Sequence, residues 1–137
     1  MAKYVVSLVM AVLVALAFGV ARADDSHSMT KEQLRSMLGK PDVIIIDVRT
    51  NYDWDQSKVK IPGAVKEEGM KFASWMNKYP KDKTIILYCA GVNDATSVSL
   101  TQAYVKAGYD KVYYLKGTTP RGAWEDWIKA KYPTVPK

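Results

Sequence analysis

Between Thr84 and Ser97 the chain reads T-I-I-L-Y-C-A-G-V-N-D-A-T-S. Thr84 to Tyr88 is a short apolar run of the kind that a strand buried on both faces carries. The run ends on Cys89, the one cysteine in 137 residues. Ala90, Gly91, Val92, Asn93 and Asp94 follow as small or polar residues, and a helical pattern begins near Ala95 and runs to Ala107. Strand, tight turn and helix in this order put the thiol at the carboxyl end of a strand, where open α/β sheets bind their ligands. Backbone N–H groups of such a turn, with the dipole of the helix behind it, favour an anion. They also favour a thiolate over a thiol. The same placement suits an inert, buried cysteine, and position alone leaves both readings open.

The flanking sequence fixes what this unit is built into. Thr30-Lys-Glu-Gln33 is a capping box, with Thr30 as N-cap and Gln33 at N3. The helix it starts carries Leu34, Met37 and Leu38 on one face and stops at Gly39. Val43 to Val48 is a second continuous apolar run, followed by a short turn or helix over Asn51 to Gln56 and a turn at Ile61-Pro-Gly-Ala64. Glu67 to Tyr79 places Phe72, Trp75, Met76 and Tyr79 at helical spacing, which predicts a core helix ended by Pro80. Val112 to Leu115 is the last clear strand, and a loop over Gly117 to Gly122 opens a helix over Ala123 to Lys131. Strands alternating with helices across short connections predict an α/β fold, a parallel sheet with helices on both faces.

The first 23 residues read differently. Lys3 supplies a positive start, Val5 to Val20 an uncharged apolar stretch, and Ala21-Arg-Ala23 a small-residue cleavage site. This is the pattern of a secretory signal peptide. Its apolar stretch of 16 residues is short of the ~20 that span a bilayer, so cleavage before Asp24 is expected rather than an anchor. The remainder then divides into a flexible lead over 24–29, a domain over 30–132 and a tail over 133–137. Export predicts a periplasmic or secreted protein with no membrane contact after cleavage.

Residues 24–137 carry 18 basic and 14 acidic side chains, with the lysines scattered. Scattered charge reads as a solvated surface, and neither it nor export points to nucleic acid. A single cysteine cannot close an internal disulfide, and an odd thiol in an oxidising compartment is paired in trans or kept for its reactivity. His27, the one histidine, falls in the expected flexible lead, so a Cys–His catalytic pair and a Cys/His metal site are both excluded as expectations.

Three segments together resemble the rhodanese-like domains, over about Thr30 to Tyr132. Ile44-Ile-Ile-Asp-Val-Arg-Thr50, with Tyr52, Trp54 and Ile61-Pro-Gly-Ala64, is similar to the family's first signature. Ile85-Ile-Leu-Tyr-Cys89 is similar to its strand and nucleophile, and Val112-Tyr-Tyr-Leu-Lys-Gly117 with Ala123-Trp124 to its closing signature. The resemblance implies a three-layer rhodanese-like domain and a sulfurtransferase that needs no metal or organic cofactor. Cys89 would take a sulfane sulfur from a small anion such as thiosulfate and hold it as a persulfide. It would then pass the sulfur to a thiol or cyanide-like acceptor. Amides of Ala90, Gly91, Val92, Asn93, Asp94 and Ala95 would line the substrate site, with Asp47 and Arg49 supporting it, more as a tie between loops than as reactive groups.

The chain departs from the family at the loop. Asp94 stands near the place where many members carry Arg, and Val92 where Gly is usual, whereas Asn93-Asp-Ala-Thr-Ser97 resembles a subgroup with its own loop end. Asp94 is expected to cap the following helix, with Thr96 and Ser97 able to serve the same end, and its charge to oppose an anionic donor. Lys58, Lys60, Lys116 and Arg121 are the candidate cations from outside the loop. These departures motivate a second reading, a catalytically weak module that binds a sulfur species or a protein partner. A phosphatase or arsenate reductase of the C-x5-R type is disfavoured, because the position of its Arg is Ala95 here.

Overall fold

The apolar runs become the middle of one sheet. In the computed structural model, which describes residues 25–137, β5 (Thr84–Tyr88) lies between β2 (Val43–Asp47) and β6 (Val112–Leu115), parallel to both. β4 (Val65–Lys66) extends the sheet beyond β2, and β1 (Ser28–Met29) extends it beyond β6. The order is β1-β6-β5-β2-β4, parallel throughout. Ile85, Ile86 and Leu87 are fully buried, as a central strand covered on both faces requires. The segment whose sequence reads as a signal peptide lies outside the described residues.

Side chains along a strand alternate between faces, and two cores result. Ile85, Leu87 and Cys89 join Val48, Trp75, Leu100 and Tyr104 on the face covered by α3 (Phe72–Trp75) and α4 (Ala95–Lys106). Ile86 and Tyr88 join Leu34, Ile61, Ala123 and Trp127 on the other face. That face is covered by α1 (Lys31–Met37) and α5 (Ala123–Lys129). The Thr30 capping box forms in both directions, with Gln33 N–H donating to Thr30 Oγ1 at 3.1 Å and Thr30 N–H to Gln33 Oε1 at 2.9 Å. Asn51–Gln56 is a helix, α2, with Thr50 as its N-cap.

Three expectations need correction. Residues 25–29 do not form a flexible lead: Asp25–His27 is a 3-10 turn and Ser28–Met29 pairs with β6. The reason is the open edge of β6, whose backbone groups need partners; Met29, 8% exposed, seals that edge against Leu34 and Leu115. His27 is part-buried there, its Nδ1 2.8 Å from the Val112 carbonyl oxygen. The 133–137 tail is also tied down. β7 (Val135–Pro136) pairs antiparallel with β3 (Val59–Lys60), and Trp127 Nε1–H donates to the Pro133 oxygen at 2.9 Å. The expected helix over Glu67 to Tyr79 is broken into 3-10 turns at Gly69–Lys71 and Met76–Lys78 around the single α-turn of α3. Distant tyrosines take its carbonyls: Tyr104 Oη–H donates to the Met76 oxygen at 3.0 Å and Tyr109 Oη–H to the Tyr79 oxygen at 2.7 Å. Trp75 Nε1–H reaches back to the Glu68 oxygen at 2.7 Å. Tertiary bonds here outweigh helical propensity.

Candidate functional site

Cys89 leaves β5 on the α4 face, 2% exposed. The chain then curls beneath α4. Gly91 is extended, Val92–Asp94 make one 3-10 turn, and Asn93 and Asp94 sit in the left-handed region at φ 54° and 56°. Asn and Asp are the non-glycine residues that accept this conformation at least cost. Three of the six loop amides are taken by backbone oxygens, two within the curl and one in the loop after β6. Asn93 N–H donates to the Pro120 oxygen, Asp94 N–H to the Gly91 oxygen and Ala95 N–H to the Val92 oxygen. The amides of Ala90, Gly91 and Val92 have no acceptor among the described residues, so they are the ones left to receive an anion. Val92 itself projects outward, 67% exposed.

Asp94 is where sequence and structure part. Its carboxylate makes no cap on α4. It reaches instead to the loop after β6, accepting from Gly117 N–H at 2.8 Å and from Ala123 N–H at 2.7 Å. Ala123 is the first residue of α5 and its N-cap is Gly122, which has no side chain to offer. Asp94 therefore caps the helix 29 residues away and fastens the cysteine loop to it. The carboxylate faces amides, not a pocket anion, and burial raises its pKa against the pull of those two amides. Asp94→Ala should destabilise the fold by about 2–4 kcal/mol, the scale of a lost cap and lost charge-assisted bonds, read by denaturant unfolding. A loss within error of zero would mean that the two amides find other acceptors.

Gly122 is fixed by the same contact. At φ 90° it holds a backbone that other residues rarely adopt, and an added Cβ would lie 2.6 Å from the Gly91 oxygen and 3.0 Å from Asp94 Oδ1. Gly122→Ala should cost about 2 kcal/mol or more and displace the Gly91 carbonyl that receives the Asp94 amide. A variant with wild-type melting would contradict that packing. Asp126 holds the same loop from α5, its Oδ2 accepting from Thr118 N–H at 2.5 Å and Thr118 Oγ1–H at 2.8 Å.

Asp47 and Arg49 form a buried pair on the far face of the sheet. Arg49 Nη2–H donates to Asp47 Oδ2 at 2.6 Å and Nε–H to both carboxylate oxygens at 3.0 Å. Tyr88 Oη–H adds a bond to Asp47 Oδ2 at 2.5 Å and accepts from Ile61 N–H at 3.2 Å. Burial and the Asp47 charge push the Tyr88 phenol far above its ordinary pKa, so it remains a donor. The guanidinium stacks on Trp124 at 4.1 Å and faces Trp54 at 5.1 Å. Because Tyr88 and Cys89 point to opposite faces, the pair supports the strand that presents the thiol.

Of the cations expected around the loop, Lys116 pairs with Asp25 at 2.9 Å, Arg121 with Glu125 at 3.1 Å, and Lys60 Nζ–H donates to the Ala64 oxygen at 2.8 Å. Lys58 gives its carbonyl to Lys137 N–H. The cation the sequence reading missed is Lys66. A cleft of about 450 Å³ beside the loop is lined by Val48, Thr50, Lys66, Met70, Thr96 and Leu100. Val48 and Leu100 also belong to the cluster that buries Cys89. Lys66 Nζ–H donates to the Arg49 oxygen at 2.7 Å and the Glu67 oxygen at 3.0 Å, and burial lowers its pKa. Its register opposite Asp47 on β4 is the signal, one that needs the strand pairing to be known.

By sequence Ser97 is an alternative cap for α4. It is fully buried, its Oγ 3.4 Å from Cys89 Sγ, and it donates to the Asp94 carbonyl oxygen at 3.0 Å. Among the described residues no three His, Cys, Asp or Glu side chains gather as metal ligands would, and no helix is long and apolar enough to cross a membrane.

Comparisons with known proteins bear on the fold and the family. A tRNA uridine(34) hydroxylase from Yersinia pestis (strain Pestoides F) is 25% identical over 118 residues, 83% of this chain and 32% of its own length. Its counterpart from Enterobacter sp. (strain 638) is 29% identical over 100 residues, 69% of this chain and 28% of its own. The chain thus spans about a third of the length of these curated relatives. The solution structure of the rhodanese-like domain of an Anabaena protein superposes with a TM-score of 0.65 at 24% identity, covering 81% of this chain and 80% of that one. The sequence profile of the Rhodanese-like domain matches residues 30–130, and on that match the chain belongs to the rhodanese-like domain family.

Proposed function

We propose that the protein is a sulfurtransferase that moves a sulfane sulfur through Cys89. The observation that carries the reading is the single thiol at the carboxyl end of the central strand, under a loop with three amides that have no acceptor among the described residues. In the first half-reaction the Cys89 thiolate attacks the outer sulfur of thiosulfate. The S–S bond of the donor breaks, and sulfite leaves with the electron pair. In the second, a thiol or cyanide-like acceptor attacks the outer sulfur of the persulfide, and the pair returns to Cys89 Sγ. Covalent catalysis divides the transfer into two displacements at one atom. Amides fixed around the negative sulfur stabilise it without a general base. The residues supply this chemistry without a cofactor.

The loop without an arginine supports a second reading, a module that holds a sulfur species or a protein partner without turning it over. One experiment separates the two. Wild-type protein treated with thiosulfate should gain one sulfur by intact mass and lose it on addition of cyanide. A sulfur gained and never released favours the module, and no gain overturns the sulfurtransferase.

The exported location belongs to the same proposal, carried by the Ala21-Arg-Ala23 pattern. N-terminal sequencing of protein from the producing cell should start at Asp24. A start at Met1 or Ala2 in membrane fractions would overturn it. A nucleic-acid partner is not part of the proposal, because Lys116, Lys78, Arg121 and Lys129 are each paired with a carboxylate rather than set out as a basic face.

A further inference from the structure

We propose that the Ser97 hydroxyl is a catalytic group for sulfur transfer, donating its hydrogen to Cys89 Sγ whenever negative charge rests on that atom. The inference rests on the sulfurtransferase reading and names a residue for it. Ser97 lies in the first turn of α4, eight residues from Cys89, and both side chains are buried, at 0% and 2% exposure. Their Oγ and Sγ are 3.4 Å apart, within hydrogen-bond range for sulfur, and either atom can be the donor. The only other partner of the hydroxyl among the described residues is the Asp94 carbonyl oxygen, at 3.0 Å.

A hydroxyl has one hydrogen and two such neighbours, so its orientation depends on the state of the sulfur. Facing a neutral thiol, it donates to the Asp94 oxygen and accepts the S–H. Facing a thiolate, which has no hydrogen to give, it turns to the sulfur, because a bond to an ionised acceptor is about twice as strong as one to a neutral acceptor. No backbone movement is needed. The reaction passes through this charge twice. Before loading, the thiolate carries it. On discharge the acceptor takes the outer sulfur, the S–S bond breaks, and the electron pair falls on Sγ beside the hydroxyl. A donor already in place at an atom where charge develops lowers the barrier to that step. Burial removes competing water and enlarges the effect.

The test is Ser97→Ala, which deletes one buried oxygen and leaves the helix its best former. Two readings are taken on the folded variant, with Cys89→Ser as the blank. One is the pH at which the thiolate appears, followed by its ultraviolet absorbance. The protein has one cysteine, so the signal belongs to Cys89. The expected result is a rise of about 1–2 pH units against wild type. The other is single-turnover discharge of the persulfide to cyanide, expected to slow roughly 10- to 100-fold. Ser97→Thr, which keeps the hydroxyl, should restore the thiolate profile where it folds. An unchanged titration in folded Ser97→Ala overturns the proposal and leaves the hydroxyl as a tie to the Asp94 carbonyl. The titration requires no sulfur donor, so it decides the role of Ser97 even if the wild type takes up no sulfur.

Discussion

Cys89→Ser should leave the fold standing and take sulfur transfer to background. The substitution changes one atom in a buried pair, and the new hydroxyl can bond to Ser97 Oγ where the thiol did. Packing around it is set by Val48, Leu87 and Leu100, which do not change. The chemistry fails for a separate reason. Loading requires an anionic nucleophile that forms a stable bond to sulfane sulfur, and a serine hydroxyl is neutral at any pH the fold experiences. The loop amides can stabilise an anion but cannot make one. Rates of thiocyanate formation from thiosulfate and cyanide, with melting curves of both proteins, check the expectation. Equal rates would show that another group carries the sulfur.

Arg49→Ala should produce the largest loss of stability, about 3–5 kcal/mol. In a domain of this size that corresponds to a fall in Tm on the order of 10–20 °C. Three terms add to it. The substitution strips Asp47, which is fully buried, of its ion-pair partner. It empties the space between Trp54, Trp124 and Tyr88. It removes the bond to the Val59 oxygen at 3.1 Å, and with it the tie between β2 and the β3–β7 pair. Breaking one side of a buried pair costs more than the pair contributes, because the remaining charge has no water to return to. Chemical denaturation of wild type and variant at neutral pH checks the figure. A loss below about 1 kcal/mol would mean that water or another cation reaches Asp47 in the variant.

These residues also show what the sequence could and could not reveal. β5 and β6 lie where the apolar runs place them, because a strand buried on both faces must be apolar at successive positions. The position of Cys89 follows from that run, and the capping box at Thr30 is legible because all its atoms lie within four residues. β1 and β7 are two residues each. Ser28-Met29 and Val135-Pro136 carry no periodicity; they are strands because an edge and β3 are there to pair with. Lys66 goes unseen in the sequence, and Asp94 is misassigned there, for a related reason. The partners of the Asp94 carboxylate lie 23 and 29 residues on, so the local signal, an acidic residue before a helix, pointed to the wrong helix. The broken segment before Pro80 has a helical spacing of aromatics that is real and buried. The hydroxyls of Tyr104 and Tyr109 that interrupt it are tertiary and leave no mark in the segment itself.

Intact-mass measurement of the protein after exposure to thiosulfate tests the central claim most directly. The account predicts a gain of one sulfur, located on the peptide that contains Cys89, absent in Cys89→Ser and removed by cyanide. A folded wild-type protein that keeps its original mass under saturating donor would contradict it.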